Sequence, residues 1–254
     1  MASHGKRAIA APAALAGLLL AACSAERVPR ADRFDSTGEL IAMSGAGAGA
    51  TGACFTCHGL DGRGDGAGVP RLAGLPPGYL QSQLQAYADG RRRHPEMGWI
   101  ASRLTPTQRL LVAQHYAAMP LGTLPSAGPP PPIYARGDPN RGIPSCVSCH
   151  GLDAEAVSPA VPPLAGQPAG YLAEQIDRWR TSQRRNDPDG VMLRISRALT
   201  EREIAALELY WARADRARRG SVEESRGARR SGPRSDASAP QRRAAAPGSS
   251  GPRP

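Results

Sequence analysis

The sequence predicts an all-α protein built from two tandem domains of one design. Three observations carry this. The pentapeptide C-x-x-C-H occurs twice, as Cys54-Phe55-Thr56-Cys57-His58 and as Cys146-Val147-Ser148-Cys149-His150. The surroundings repeat as well. With a shift of 92, His58-Gly59-Leu60-Asp61 falls on His150-Gly151-Leu152-Asp153, and Gly78-Tyr79-Leu80 on Gly170-Tyr171-Leu172. After three inserted residues a shift of 95 brings Met97 onto Met192 and Leu104-Thr105 onto Leu199-Thr200. Finally, the apolar residues of both copies recur at helical spacing: Leu80, Leu84 and Tyr87 in one, Leu172, Ile176 and Trp179 in the other. A tandem duplication of a helical unit follows.

Taken in order, residues 1–22 read as an export signal. Lys6 and Arg7 precede an apolar stretch, Ala8 to Leu20, that is too short to span a bilayer as a stable helix. It ends Leu20-Ala21-Ala22-Cys23, which resembles a lipobox; cleavage before Cys23 would leave that thiol to carry lipid and would account for the fifth cysteine. Ordinary cleavage, with Cys23 a stray thiol or removed, is the alternative. Residues 23–35 form a tether and 36–122 the first domain. In that domain Gly38 to Met43 is a short helix, and a glycine-rich approach leads to the first pentapeptide. The last helix of each domain has a clean start, since Thr105-Pro106-Thr107-Gln108 and Thr200-Glu201-Arg202-Glu203 both carry a capping box. Residues 123–135 form a proline-rich linker, with Pro129 to Pro132 a stiff polyproline-type spacer. The second domain covers 136–213. Residues 214–254 have almost no large apolar side chain and read as a disordered basic tail.

The net charge of +10 is unevenly spread. The signal holds +2 and the tail, with ten Arg against four acids, holds +6, which leaves +2 for residues 23–213. A near-neutral body argues against nucleic acid as a partner. Lys occurs only at Lys6, so any positive docking ring must be made of Arg, such as Arg91 to Arg93 or Arg184-Arg185; the competing reading is that these are solvated loop charges.

C-x-x-C-H is the attachment signature of a c-type haem: two thiols add to the haem vinyl groups, and the histidine that follows binds the iron. Two covalently bound haems are therefore expected, one on Cys54 and Cys57 with His58 as axial ligand, the other on Cys146 and Cys149 with His150. That use of the cysteines leaves no disulfide. A low aromatic content, 4%, suits domains whose core includes a porphyrin.

With its two pentapeptides, two proline-leucine loops and two matched methionines, the chain resembles the two-haem class I cytochromes c of the cytochrome c-four type over about residues 36–213. The resemblance implies domains each wrapped round one haem, with first and last helices crossing. It implies that the carbonyls of Pro70 and Pro162, each twelve residues after its histidine, accept the second ring N–H of that histidine. It also implies Met97 and Met192 as the sixth iron ligands; His94, Met43 and Met119 are the rivals at the first iron. A thioether is a soft, neutral ligand that favours ferrous iron, and two filled axial sites keep oxygen and peroxide off the metal. Such proteins shuttle single electrons between a membrane dehydrogenase or quinol-oxidising complex and a terminal oxidase or other acceptor. The expected place is the periplasmic side, with a lipid anchor at Cys23.

Two other functions stay open on the residues alone. A haem subunit of an oxidoreductase, or a two-haem peroxidase, would need one open iron site. A structural zinc site would use the four thiolates of the two C-x-x-C pairs, but leaves the histidines and methionines unexplained.

Overall fold

The computed structural model describes residues 36–121, 124, 126–152 and 157–214. The expected signal, tether and Cys23, and the tail beyond Ala214, lie outside them. Among the described residues there are helices and isolated bridges but no strand, and no helix is long and apolar enough to cross a membrane.

The first half contains α1 (Gly38–Ser44), α2 (Phe55–His58), α3 (Pro77–Ala88), α4 (Pro95–Ala101) and α5 (Pro106–Ala117). Thr37 caps α1, its hydroxyl accepting the Leu40 N–H at 3.2 Å. α5 starts with the expected capping box: Gln108 N–H donates to Thr105 Oγ1 at 3.2 Å, and Thr105 N–H to Gln108 Oε1 at 2.8 Å. α1 and α3 both pack on α5. Gly38 makes the first crossing possible, because a Cβ there would run into the Leu111 carbonyl and sit 2.7 Å from His115 Cβ. Ile41, Leu75, Leu80, Leu104, Val112 and Tyr116 fill the core between these helices. Full burial of such side chains stabilises by roughly 1.5–3 kcal/mol each before entropy is counted.

The second half contains α6 (Pro132–Arg136), α7 (Val147–His150), α8 (Ala169–Arg180), α9 (Val191–Ala198) and α10 (201–214). It has its own core, in which Ile133, Ile143, Leu172, Ile176, Leu207 and Trp211 are buried. The second capping box forms too, with Glu203 N–H on Thr200 Oγ1 at 3.3 Å and Thr200 N–H on Glu203 Oε2 at 2.9 Å. The three-residue insertion is the 3-10 turn Pro188–Gly190, where Asp189 takes the left-handed conformation with φ 55°.

Some expectations need correction. The linker assigned to 123–135 is too long at its end: Pro132 begins α6, and Ile133 and Tyr134 are buried in the second core. Ala214, placed in the tail, continues α10. Met97 and Met192 lie in the first turns of α4 and α9. The arginines proposed for a docking ring do not all reach solvent. Arg91, Arg93 and Arg185 are exposed, but Arg92 and Arg184 are buried between the halves.

That interface has a pseudo-two-fold pattern. Arg92 donates to Tyr171 Oη and Gln175 Oε1 of the second half, both at 2.7 Å. Arg184 donates to Tyr79 Oη at 3.4 Å and Gln83 Oε1 at 3.0 Å of the first. These residues are related by the same shift of 92 as the haem motifs. Each guanidinium also lies over an aromatic ring of its own half, Arg92 on Tyr87 at 4.6 Å and Arg184 on Trp179 at 3.9 Å. The same residues on both sides make the same reciprocal contacts, the arrangement of an isologous dimer interface.

Candidate haem centres

Each pentapeptide forms a single helical turn, α2 or α7, which ends on its histidine. Gly59 and Gly151 then carry the chain away with positive φ, 80° and 68°. The turn places the histidine of each motif at its end, His58 buried and His150 half-buried. The four motif cysteines are not bridged to one another; Cys54 and Cys146 are half-buried, and Cys57 and Cys149 are exposed. They are not gathered into a metal cage: among the described residues no group of three or more His, Cys, Asp or Glu could hold an ion. The zinc reading needs four converging thiolates, and this arrangement does not supply them.

The two histidines make the same hydrogen bond. His58 Nδ1 lies 3.0 Å from the Pro70 carbonyl, and His150 Nδ1 lies 2.8 Å from the Pro162 carbonyl. A carbonyl only accepts, so Nδ1 carries the proton and Nε2 keeps its lone pair. Burial lowers the pKa of both rings and the proline carbonyls partly oppose this; a nearby positive charge, Arg184, lowers His150 further. Each ring is thus held in one orientation, with Nε2 left as its available donor atom.

The loop that delivers Pro70 is held by Asp65. Its Oδ1 accepts the N–H groups of Ala67, Gly68 and Val69 at 2.8, 3.0 and 2.9 Å. Burial pushes this carboxyl up, but the backbone donors outweigh it and the net direction is down. Gly64, at φ 70°, lies under the same segment; a Cβ there would be 2.9 Å from the Pro70 oxygen. In the second half Tyr134 plays the supporting part. Its carbonyl accepts the Cys146 N–H at 3.0 Å, and its hydroxyl donates to the Gly151 carbonyl at 2.9 Å.

The residues weighed against Met97 are used elsewhere. Met43 is exposed on α1. The Met119 sulfur packs beside Gly62 at the edge of the first core. His94 caps α4, its Nδ1 lying 3.4 Å from the Met97 N–H and 3.1 Å from a Glu96 carboxylate oxygen. Met97 and Met192 are both half-buried at matching places on α4 and α9.

The donor set fits haem. It offers paired thiols, an imidazole with a free Nε2, and a thioether in each half. In the second half, Ser196 Oγ on α9 and Trp211 Nε1 on α10 are buried with no partner among the described residues, as groups facing a bound molecule would be. The class of protein defined by this fold and these two sites is a two-haem c-type cytochrome.

Comparison with known proteins agrees. The cytochrome c family model matches residues 44–115. The chain is 40% identical to the thiosulfate dehydrogenase electron acceptor of Stutzerimonas stutzeri (strain A1501), over 69% of this chain and 85% of that one. It is 34% identical to cytochrome c4 of Thiocapsa roseopersicina, over 63% of this chain and 86% of that one. Among solved structures, thiosulfate dehydrogenase (TsdBA) from Marichromatium purpuratum superimposes with a TM-score of 0.60 at 38% identity. That match covers 69% of this chain but only 39% of the other. The chain belongs to the cytochrome c4 family of two-haem electron-transfer proteins, with covalently bound c-type haems.

The sequence did not reveal the buried arginine cluster. Its one available signal was that Tyr79, Gln83 and Arg92 repeat as Tyr171, Gln175 and Arg184.

Proposed function

We propose that this chain is an exported one-electron relay. It takes electrons from a thiosulfate-oxidising dehydrogenase and passes them to a further acceptor, such as a terminal oxidase. The proximal and distal ligands would be His58 and Met97 on the first iron, and His150 and Met192 on the second. The observation that carries the reading is the doubled histidine geometry, with Nδ1 tied to a proline carbonyl and a methionine at the matching place in both halves. Two irons ligated alike and closed on both faces suit electron transfer rather than bond-making. The name of the Stutzerimonas relative supports the choice of donor.

When bound, the haem supplies a ferrous–ferric couple. The chain does the rest. Cys54, Cys57, Cys146 and Cys149 would carry the haems as thioethers. Pro70 and Pro162 orient the imidazoles and would raise their basicity toward the iron. Met97 and Met192 would supply thioether sulfurs, which favour the ferrous state and would exclude small ligands. Two one-electron centres in one chain match a donor that releases electrons in pairs.

Anaerobic mixing of the oxidised holoprotein with a thiosulfate dehydrogenase and thiosulfate tests this. Both haems should gain ferrous bands, one electron each. Reduction by dithionite but not by the dehydrogenase would exclude this donor. Rapid carbon monoxide binding at one haem would reveal an open iron and favour an oxidoreductase subunit instead. Lipidation at Cys23 would hold the relay at the membrane on the periplasmic side. Cys23→Ala is then expected to move haem protein from the membrane to the soluble fraction; unchanged membrane binding would sink the anchor.

A further inference from the structure

The peptide between Pro70 and Arg71 is held at both ends. Its carbonyl oxygen lies 3.0 Å from His58 Nδ1. Its N–H donates to Oε1 of Gln167, a residue of the second half, also at 3.0 Å. Gln167 Nε2 in turn donates to the Arg71 carbonyl at 2.9 Å. One side-chain amide thus pairs with both backbone groups of a single residue, as a neighbouring strand would. The pair is dry, with Arg71 1% exposed and Gln167 5%. Gln167 is itself fixed, because its N–H donates to the Leu164 carbonyl at 3.1 Å and Pro168, the N-cap of α8, follows it. The first turn of α8 lies on the same loop of the first half: a Cβ on Gly170 would come 3.2 Å from the Ala67 carbonyl.

These contacts form one chain of hydrogen bonds, His58 to the Pro70 carbonyl and the Arg71 N–H to Gln167. An amide that donates through its N–H becomes more polar, and its own carbonyl becomes a stronger acceptor. The effect counts for more away from water. A stronger acceptor on Nδ1–H gives the imidazole more anionic character and makes Nε2 a better donor.

The second half cannot build this chain. The shift of 92 puts Pro163 at the place of Arg71, and Leu75 of the first half at the place of Gln167. Proline has no N–H, so the peptide between Pro162 and Pro163 offers its carbonyl to His150 and has no donor at its other end. Leu75 is buried and brings no polar group.

We propose that Gln167 of the second half is a positioning residue for the first haem: it polarises the Pro70 carbonyl, strengthens His58 as a donor, and so lowers the potential of the first haem and not the second. The inference rests on the reading of His58 as an iron ligand. Gln167 touches no reacting atom and acts only through Pro70 and His58.

Nitrogen–proton NMR of the ferrous holoprotein and redox titration test this in Gln167→Leu and Gln167→Glu. Gln167→Leu removes the acceptor at nearly constant size. The His58 Nδ1–H resonance should move upfield and the first haem potential should rise, while His150 and the second haem stay as they were. Gln167→Glu keeps an acceptor and should bring back the downfield resonance and the lower potential. A His58 resonance and a first potential unmoved by Gln167→Leu, or equal movement at both haems, would overturn the proposal. Unaltered protein supplies a measurement free of folding defects. A scalar coupling through the hydrogen bond should join the Arg71 amide nitrogen to the Gln167 side-chain carbonyl carbon, and its absence would overturn the proposal too. His58 ring protons without the large shifts of an iron-bound imidazole would remove the ligand reading and the proposal with it. That result is distinct from an iron-bound His58 that does not respond to Gln167.

Discussion

The first half approaches its haem motif through glycine, the second through an aromatic clasp. Before Cys54 the chain turns at Gly45 and Gly49 with φ 75° and 65°, and α1 presses on α5 through Gly38. Before Cys146, Tyr134 bonds to both ends of the motif and the adjoining core is built from Ile133, Ile143, Tyr210 and Trp211. Asp65 ties the first proline loop, whereas Val157 stands at its matching position in the second. The histidine–carbonyl bond is nevertheless the same in both, at 3.0 and 2.8 Å. Duplication kept the atoms that would meet the iron and let the supports diverge. Damage to a support should therefore be confined to one half, and damage to a ligand should have the same consequence in either.

The largest effect should come from the methionines. Met97→His and Met192→His should each lower one haem potential by on the order of 0.1 V, because imidazole donates more strongly to ferric iron than a thioether does. Spectroelectrochemical titration should show the other haem nearly unmoved. Equal movement of both potentials would break the picture of two separable centres.

Gly38→Ala should come next, confined to the first half. Alanine favours a helix interior, but the clash with the Leu111 carbonyl and His115 dominates, with a cost of about 1–3 kcal/mol. Hydrogen exchange should accelerate in peptides covering α1 and α5 and stay unchanged in α6 and α10. A uniform change would mean that the halves unfold as one unit.

The smallest effect distinguishes the two capping boxes. Gln108 does not titrate, whereas Glu203 does, and its hydrogen bonds to Arg141, opposed by partial burial, lower it from 4.5 to about 2. A carboxyl lowered in the folded state contributes stability above about pH 4.5 that is lost as pH falls toward 2. Acid should therefore loosen α10 before α5, as followed by exchange. Glu203→Gln should remove the difference at a cost of about 0.5–1 kcal/mol, since the ion pair is near the surface and the cap supplies most of the effect.

Much of this molecule is local and so was legible in the sequence. The haem signature needs only five adjacent residues, and a capping box needs four. The helical faces of α3 and α8 follow from a 3.6-residue period, and comparing the copies set Met97 beside Met192 and Pro70 beside Pro162. All of these depend on chain geometry over one or a few turns. Tertiary structure decided the rest. Arg92 and Arg184 stand in runs of cations that suit a solvated loop, and they are buried because acceptors some 80 to 100 residues away in the chain close over them. For the same reason Tyr79, Gln83 and Gln175, which no apolar period marks, are buried, with Tyr171 half-buried beside them. The short α6 is helical because the second core gives Ile133 and Tyr134 a place to bury, where its five residues alone would not hold a helix in water. A polar or marginal segment takes its environment from whatever packs against it, and that partner is settled only when the two halves meet.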